Sequence, residues 1–218
     1  MGKTVRKEDF IITNEELKNR IQKLYKEQGE GETLDVSSLK NFICDDFSAI
    51  FSEFYKVKHI IGLEDWDVSE VTNMNHMFED CSSFNCDLSK WNVSHVKDMR
   101  SMFSYCKKFN SDLSKWDVSN VENMPGMFEE CENFNCDLSN WNVSGVKDMR
   151  FMFMGCKNFN SDLSHWDVSS VRDMQEMFKG CKNFNCDLSK WDISNVNDMK
   201  DMFNDCKSLK QIPLWYKE

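Results

Sequence analysis

A tryptophan recurs every 25 residues, at Trp66, Trp91, Trp116, Trp141, Trp166 and Trp191, without one insertion or deletion. A fixed period of this length overrules local readings, because a single unit cannot bury its own apolar side and must stack on its copies. With Trp as position 1, apolar residues fall at positions 1, 3, 6, 9, 12, 13, 16, 19 and 23, as in WNVSHVKDMRSMFSYCKKFNSDLSK, residues 91–115. A period of 50 lies on top, since Cys86, Cys136 and Cys186 alternate with Ser111 and Ser161 at position 21, a pattern that points to duplication of pairs.

Two rhythms share each unit. Around Trp91 and Val93, polar Lys90, Asn92 and Ser94 alternate with apolar residues, which predicts a short strand over positions 25 to 4. Val96, Met99, Met102, Phe103 and Cys106 then recur at three or four residues, the spacing of a helix with one face inside. Position 8 is Asp or Asn in all six units, so a helix of about two turns is expected to start there, capped by that side chain. Pro125, two residues on in its unit, fits the first turn. Asn at position 20 and Asp at position 22 read as the turn back to the next strand. Stacked strands would pair at about 4.8 Å and each Trp, Met and Phe would pack on its copies.

The unit MFEDCSSFNCDLSKWNVSHVKDM resembles the repeat of the BspA-like leucine-rich repeat family, the 25-residue repeats of mycoplasma-type surface lipoproteins. Its run Leu88, Trp91, Val93, Val96 is similar to a leucine-rich repeat consensus with Trp for one Leu. The resemblance covers residues 34–218. It implies an α/β repeat solenoid, a right-handed coil with a parallel sheet on one face and short helices on the other. It also implies a protein partner and a surface or secreted location.

The predicted organisation is an N-terminal segment with a capping helix (1–33), a degenerate first repeat (34–65), five complete repeats (66–190), and a truncated last repeat with a C-terminal cap (191–218). Thr13 and Glu16 form a capping box ahead of Leu17, Ile21 and Leu24. In the first repeat Asp35, Val36, Ser37, Leu39 and Phe42 match positions 2, 3, 4, 6 and 9, with about seven extra residues in the unit. Pro213 is expected to stop further pairing at the far end.

Charge and composition narrow the function. A net charge of -10 argues against nucleic acid, whose binding needs clustered Lys and Arg. No apolar run approaches a membrane span, so no membrane insertion is expected. The start MGKTVRKEDFIITNEEL has no apolar signal core, and Arg6 stands where N-myristoylation after Gly2 would need Ser or Thr, so a cytoplasmic location is predicted. The ten cysteines form three C-x4-C pairs without a recurring His, which does not match common zinc spacing, and buried reduced thiols are expected. Asp87, Asp112, Asp137, Asp162 and Asp187 form a carboxylate column read as local turn bonding rather than a calcium ladder. His59, His76, His95 and His165 fall at unrelated repeat positions and no catalytic set emerges, so the chain is read as no enzyme, with no cofactor and no metal.

What remains is a non-enzymatic protein-binding scaffold, with an exported adhesin-like protein or a self-associating spacer as alternatives. The candidate partner-binding face carries Lys90, Asn92, Lys115, Asp117, Asn142, His165, Asp167 and Lys190, expected on the solvent side of the sheet. A second candidate patch is Phe151 and Met154, expected on the outer side of a short helix, with Tyr105 two units away.

Overall fold

In the computed structural model of the chain, the described residues are 11–39, 42–52 and 54–217. The first ten residues of the expected N-terminal segment therefore lie outside them. Helix α1 spans Asn14–Glu27, and Thr13 caps it by accepting the Glu16 N–H at 3.1 Å. Leu17, Ile21 and Tyr25 are buried against the first unit; Leu24 packs at the edge of the core. Strands β1 (Thr33–Asp35) and β2 (His59–Ile61) form a parallel two-stranded sheet, with Leu34 beside Ile60, followed by a 3-10 turn at Leu63–Asp65.

The α/β repeat solenoid expected from the sequence is corrected by these elements. Among the described residues there is one α-helix and one open, two-stranded sheet, both before the first Trp; the repeats hold neither helices nor strands, only turns joined by single-residue parallel bridges. Position 8 shows why. Its side chain does not cap a helix: Asp98 Oδ1 accepts the Arg100 N–H two residues on at 3.0 Å, and its backbone bridges to Asn73 and Asn123, the same position in the adjacent units. From there alternate N–H groups leave the unit. Met99, Ser101, Phe103 and Tyr105 donate to the carbonyls of Asn123, Pro125, Met127 and Glu129 at 2.7–2.9 Å.

The remaining bonds close three-residue turns, Met102 N–H to Met99, Ser104 to Ser101 and Cys106 to Phe103. A helix would need the same N–H groups for bonds to carbonyls four residues back in its own unit. Each unit also passes twice through left-handed backbone, as at Ser101 (φ 50°) and Tyr105 (φ 61°), which a right-handed helix excludes. A three-residue turn and a helix share the apolar spacing, so the sequence rhythm fits both. Pro125 is harmless for a reason other than helix entry: the N–H at its position serves only the local turn in other units, while its carbonyl accepts from Ser101.

The expected strand around each Trp fails similarly, because Trp91 N–H closes a turn on Leu88 and Val96 N–H one on Val93. The burial alternation survives, with Trp91 and Val93 buried and Asn92 exposed. In the first repeat, Asp46, Phe47, Ala49 and Phe51 make the bonds of positions 8, 9, 11 and 13, so Phe47 rather than Phe42 takes the Met column. Phe42 packs edge-on to Trp66 instead.

The core is a set of columns. Phe51, Phe78, Phe103, Phe128, Phe153, Phe178 and Phe203 stack face to face at 5.4–5.9 Å between centroids, wider than strand spacing because ring offset sets the contact. Phe84, Phe109, Phe134, Phe159 and Phe184 form a second column at 5.8–6.1 Å. The Trp column faces the interior too, each from Trp66 to Trp191 no more than 6% exposed, and Trp91 to Trp191 donate Nε1–H to a Leu carbonyl one unit back at 2.9–3.3 Å.

The row of inter-unit bonds must end somewhere, and α1 supplies the end. Asn14 Nδ2 donates to the carbonyls of Asp46 and Ser48, both at 3.0 Å, two of the four acceptors (positions 8, 10, 12 and 14) that a preceding unit would otherwise serve. Asn14→Asp removes both donors and sets a carboxylate against two carbonyls, so urea unfolding is expected to show a loss of about 2–3 kcal/mol. Gly62 has φ 82° and an added Cβ would lie 2.7 Å from Ser37 Cα. Gly62→Ala is expected to cost about 2 kcal/mol or more, whereas Gly31→Ala, with open space around it, leaves the midpoint almost unchanged.

Candidate functional site

Regular stacking sorts the surface into columns. Lys90, Lys115, His165 and Lys190 occupy position 25, and Asn92, Asp117, Asn142 and Asp167 position 2; all eight are exposed, flanking the buried Trp column. They lie on turns, not on the solvent side of a sheet as expected. The position-2 side chains are also committed locally: Asp117 and Asp167 accept the N–H of Ser119 and Ser169 at 3.1 and 3.0 Å, and Asn92 and Asn142 that of Ser94 and Ser144 at 3.2 Å. Hydrogen bonds from Ser119 and Ser169 hold Asp117 and Asp167 below the usual carboxylate range.

The Asp column at position 22 does the same. Asp87, Asp112, Asp137, Asp162 and Asp187 each accept the Ser N–H two residues on at 2.9 Å. Their pKa values are lowered by those serines, with the neighbouring position-25 lysine adding to the effect at Asp87, Asp112 and Asp187. Among the described residues, no cluster of three His, Cys, Asp or Glu suits a metal ion. His165 and Lys190 share an open hollow of about 440 Å³ with Asp162, Asp187 and Cys186.

Phe151 and Met154 are not on a helix. Both are half-buried on the strip of turns, Phe151 in left-handed backbone at φ 58°, with its N–H donated to Gln175 at 2.9 Å. Tyr105 is exposed on the same strip two units away, and its hydroxyl donates to Glu129 Oε1 at 3.3 Å. Burial pushes the Glu129 carboxyl up from its ordinary value. In the unit between them, Glu129 accepts from Tyr105 and the Glu130 side chain fills the space over Gly155.

A polar groove of about 720 Å³ lies where the sequence marks no candidate residue. It runs past Asn120, Gly145, Ser170 and Asn195 at position 5, with Arg172 and the Glu122–Lys147 ion pair along one side. Asn120 and Asn195 donate Nδ2–H to the carbonyls of Ser94 and Ser169 at 2.7 Å. Gly145 and Ser170 do not, so among the described residues the carbonyls of Ser119 and Ser144 are left without that donor. The signal was in the sequence as the change from Asn to Gly and Ser in one column, but its meaning depends on where the Asn side chain reaches.

The thiols at position 16 are part of the core. Cys81, Cys106, Cys131, Cys156, Cys181 and Cys206 each donate Sγ–H to a Phe carbonyl one unit back at 2.9–3.3 Å. Burial pushes Cys81 up to about 12 and raises Cys106, Cys131, Cys156 and Cys181 well above the ordinary value. Cys186, half-exposed beside Asp162 at 3.4 Å, is raised to about 11, chiefly by desolvation. A thiol held neutral is a poor nucleophile. At position 21 Cys and Ser are interchangeable because both accept a Leu N–H, Ser111 from Leu88 and Cys136 from Leu113.

Stacked near-identical units with a filled interior define a repeat protein. The chain belongs to the family described as Mycoplasma protein of unknown function, DUF285, whose profile matches it twice, over residues 45–154 and 133–216. Comparison with curated proteins returned no match. The family assignment is coarser than the leucine-rich repeat likeness of the motif.

Raised thiol values carry a sign. Unfolded thiols ionise near pH 8.5 while the buried ones stay protonated, so the unfolded state loses protons first and stability falls as pH rises above that value. Unfolding free energies from urea titrations between pH 8.5 and 9.5 are expected to drop with a slope approaching about 1.4 kcal/mol per pH unit for each ionising thiol. Cys156→Ala should flatten the slope by one thiol's share; an unchanged slope contradicts the assignment.

Proposed function

We propose that the chain is a non-enzymatic protein-binding scaffold, BspA-like in its repeat motif, whose partner lies along the columns at positions 25 and 2. The observation that carries this reading is the exposure of all eight candidate residues in fixed register, near a groove lined by Ser119, whose carbonyl has no amide donor among the described residues. The position-2 acceptors are used by their own turns, so Lys90, Lys115, His165 and Lys190 supply the adaptable contacts. A partner presenting carboxylates to this column and N–H donors to the Ser119 and Ser144 carbonyls fits the chemistry. The Phe151 and Met154 patch is secondary, being half-buried. A surface or secreted location is only the alternative that the repeat likeness implies; no helix among the described residues is long and apolar enough to cross a membrane.

Reversing Lys90, Lys115 and Lys190 to Glu together tests the face, with capture from the native host read by mass spectrometry. A species retained by the wild type and by Phe151→Ser/Met154→Ser, but reduced at least tenfold by the triple variant, supports it. Equal capture by the triple variant removes the face from consideration.

A further inference from the structure

The two ends of the stack are not alike. At the N-terminal end the exposed acceptors Asp46 and Ser48 are covered by Asn14 of α1. Among the described residues nothing corresponds at the C-terminal end. Met174, Glu176, Phe178 and Gly180 donate their N–H groups to the carbonyls of Asp198, Lys200, Met202 and Asn204. The equivalent donors one unit later, Met199, Asp201, Phe203 and Asp205, have no acceptor among the described residues. The apolar columns are open there too. Val171, Met174 and Cys181 are 0% exposed, whereas Val196, Met199 and Cys206 in the last unit are half-exposed and Leu209 with them. Trp215, stacked on Trp191 at 6.4 Å, and Tyr216, edge-on to Phe203 at 5.1 Å, cover only part of this face.

We propose that this C-terminal face is a docking surface for the N-terminal face of a second copy of the chain, and that α1 is the plug that keeps the joint closed. The two surfaces are the halves of the same unit-to-unit contact. One offers the N–H groups of positions 9 and 11; the other offers the carbonyls of positions 8 and 10, which those N–H groups serve at every internal joint. Pairing of two C-terminal faces would set donors against donors, leaving each row buried without acceptors. The plug seats incompletely. A crevice of about 320 Å³ remains between α1 and the first unit, lined by Glu15, Lys18, Asn19 and Gln22 on the helix and by Ala49, Ile50, Ser52 and Phe54 opposite. Displacing α1 therefore exposes an acceptor row and an apolar layer that match the free end of another copy. Such a joint is head-to-tail and does not close on itself.

The test uses the whole 218-residue chain. Leu17→Asp/Ile21→Asp drives α1 off the core, and light scattering with sedimentation reads mass against concentration while tryptophan emission reports the stacked core. The wild type is expected to run at one chain mass. The double variant is expected to form a concentration-dependent series continuing past the dimer, and adding Val196→Asp, a charge on the receiving face, to return it to one chain mass. A double variant that stays monomeric with native emission overturns the proposal, as does a series that stops at two copies or that Val196→Asp leaves unchanged. Should the double variant lose its native emission, Asn14→Asp decides: self-association at least tenfold tighter than wild type and blocked by Val196→Asp supports the joint, and a monomer overturns it. Loss of host-protein capture by the lysine triple variant is a separate result, since none of those lysines belongs to the open N–H row at Met199, Asp201, Phe203 and Asp205.

Discussion

Alternate N–H groups leaving each unit for the carbonyls of the next govern this structure. Every second residue from Met99 to Tyr105 donates forward and the residues between close short turns, so the backbone is satisfied without helix or strand. The arrangement forces left-handed backbone at two positions per unit, taken by residues as different as His76, Phe151 and Gly180. Its return is an unbroken register that lays each Phe ring on its copy, within 10° of parallel along the main column.

Side-chain chemistry follows from the same register. Trp donates to a Leu carbonyl, Cys to a Phe carbonyl and Ser or Cys accepts from a Leu N–H, each across one joint. Asp and Asn at positions 2, 8 and 22 lock the turns. These residues are occupied by folding, so recognition falls to what is left over: the cationic column, the hollow where Gly145 and Ser170 interrupt the Asn column, and the ends. The ends differ because a directed bond row has a donor end and an acceptor end. Among the described residues a cap is seen only at the acceptor end, where the two hydrogens of an asparagine amide reach the carbonyls of Asp46 and Ser48.

Several expectations reached the right residues by the wrong backbone. The apolar columns, the inward Trp, the turn role of the Asp column and the amphipathic α1 were readable, because burial periodicity and capping chemistry are local properties of the chain. The helix after position 8 and the strand before position 5 were not. A three-residue turn places Met99, Met102 and Cys106 on one side as a helix does, and alternating burial around Trp91 does not require a ladder. The groove at Gly145 was missed because the reach of the neighbouring Asn amides, across a unit boundary, sets its depth.

The amino-acid order alone established a 25-residue unit, the residues it buries and the need to stack, since an apolar set of that size has no other way to leave water. Where each backbone N–H finds its carbonyl, and hence whether the chain runs as helix, strand or turn, was settled by contact between units. That choice compares bonds inside one unit with bonds to its neighbour, and only the assembled stack contains the second kind.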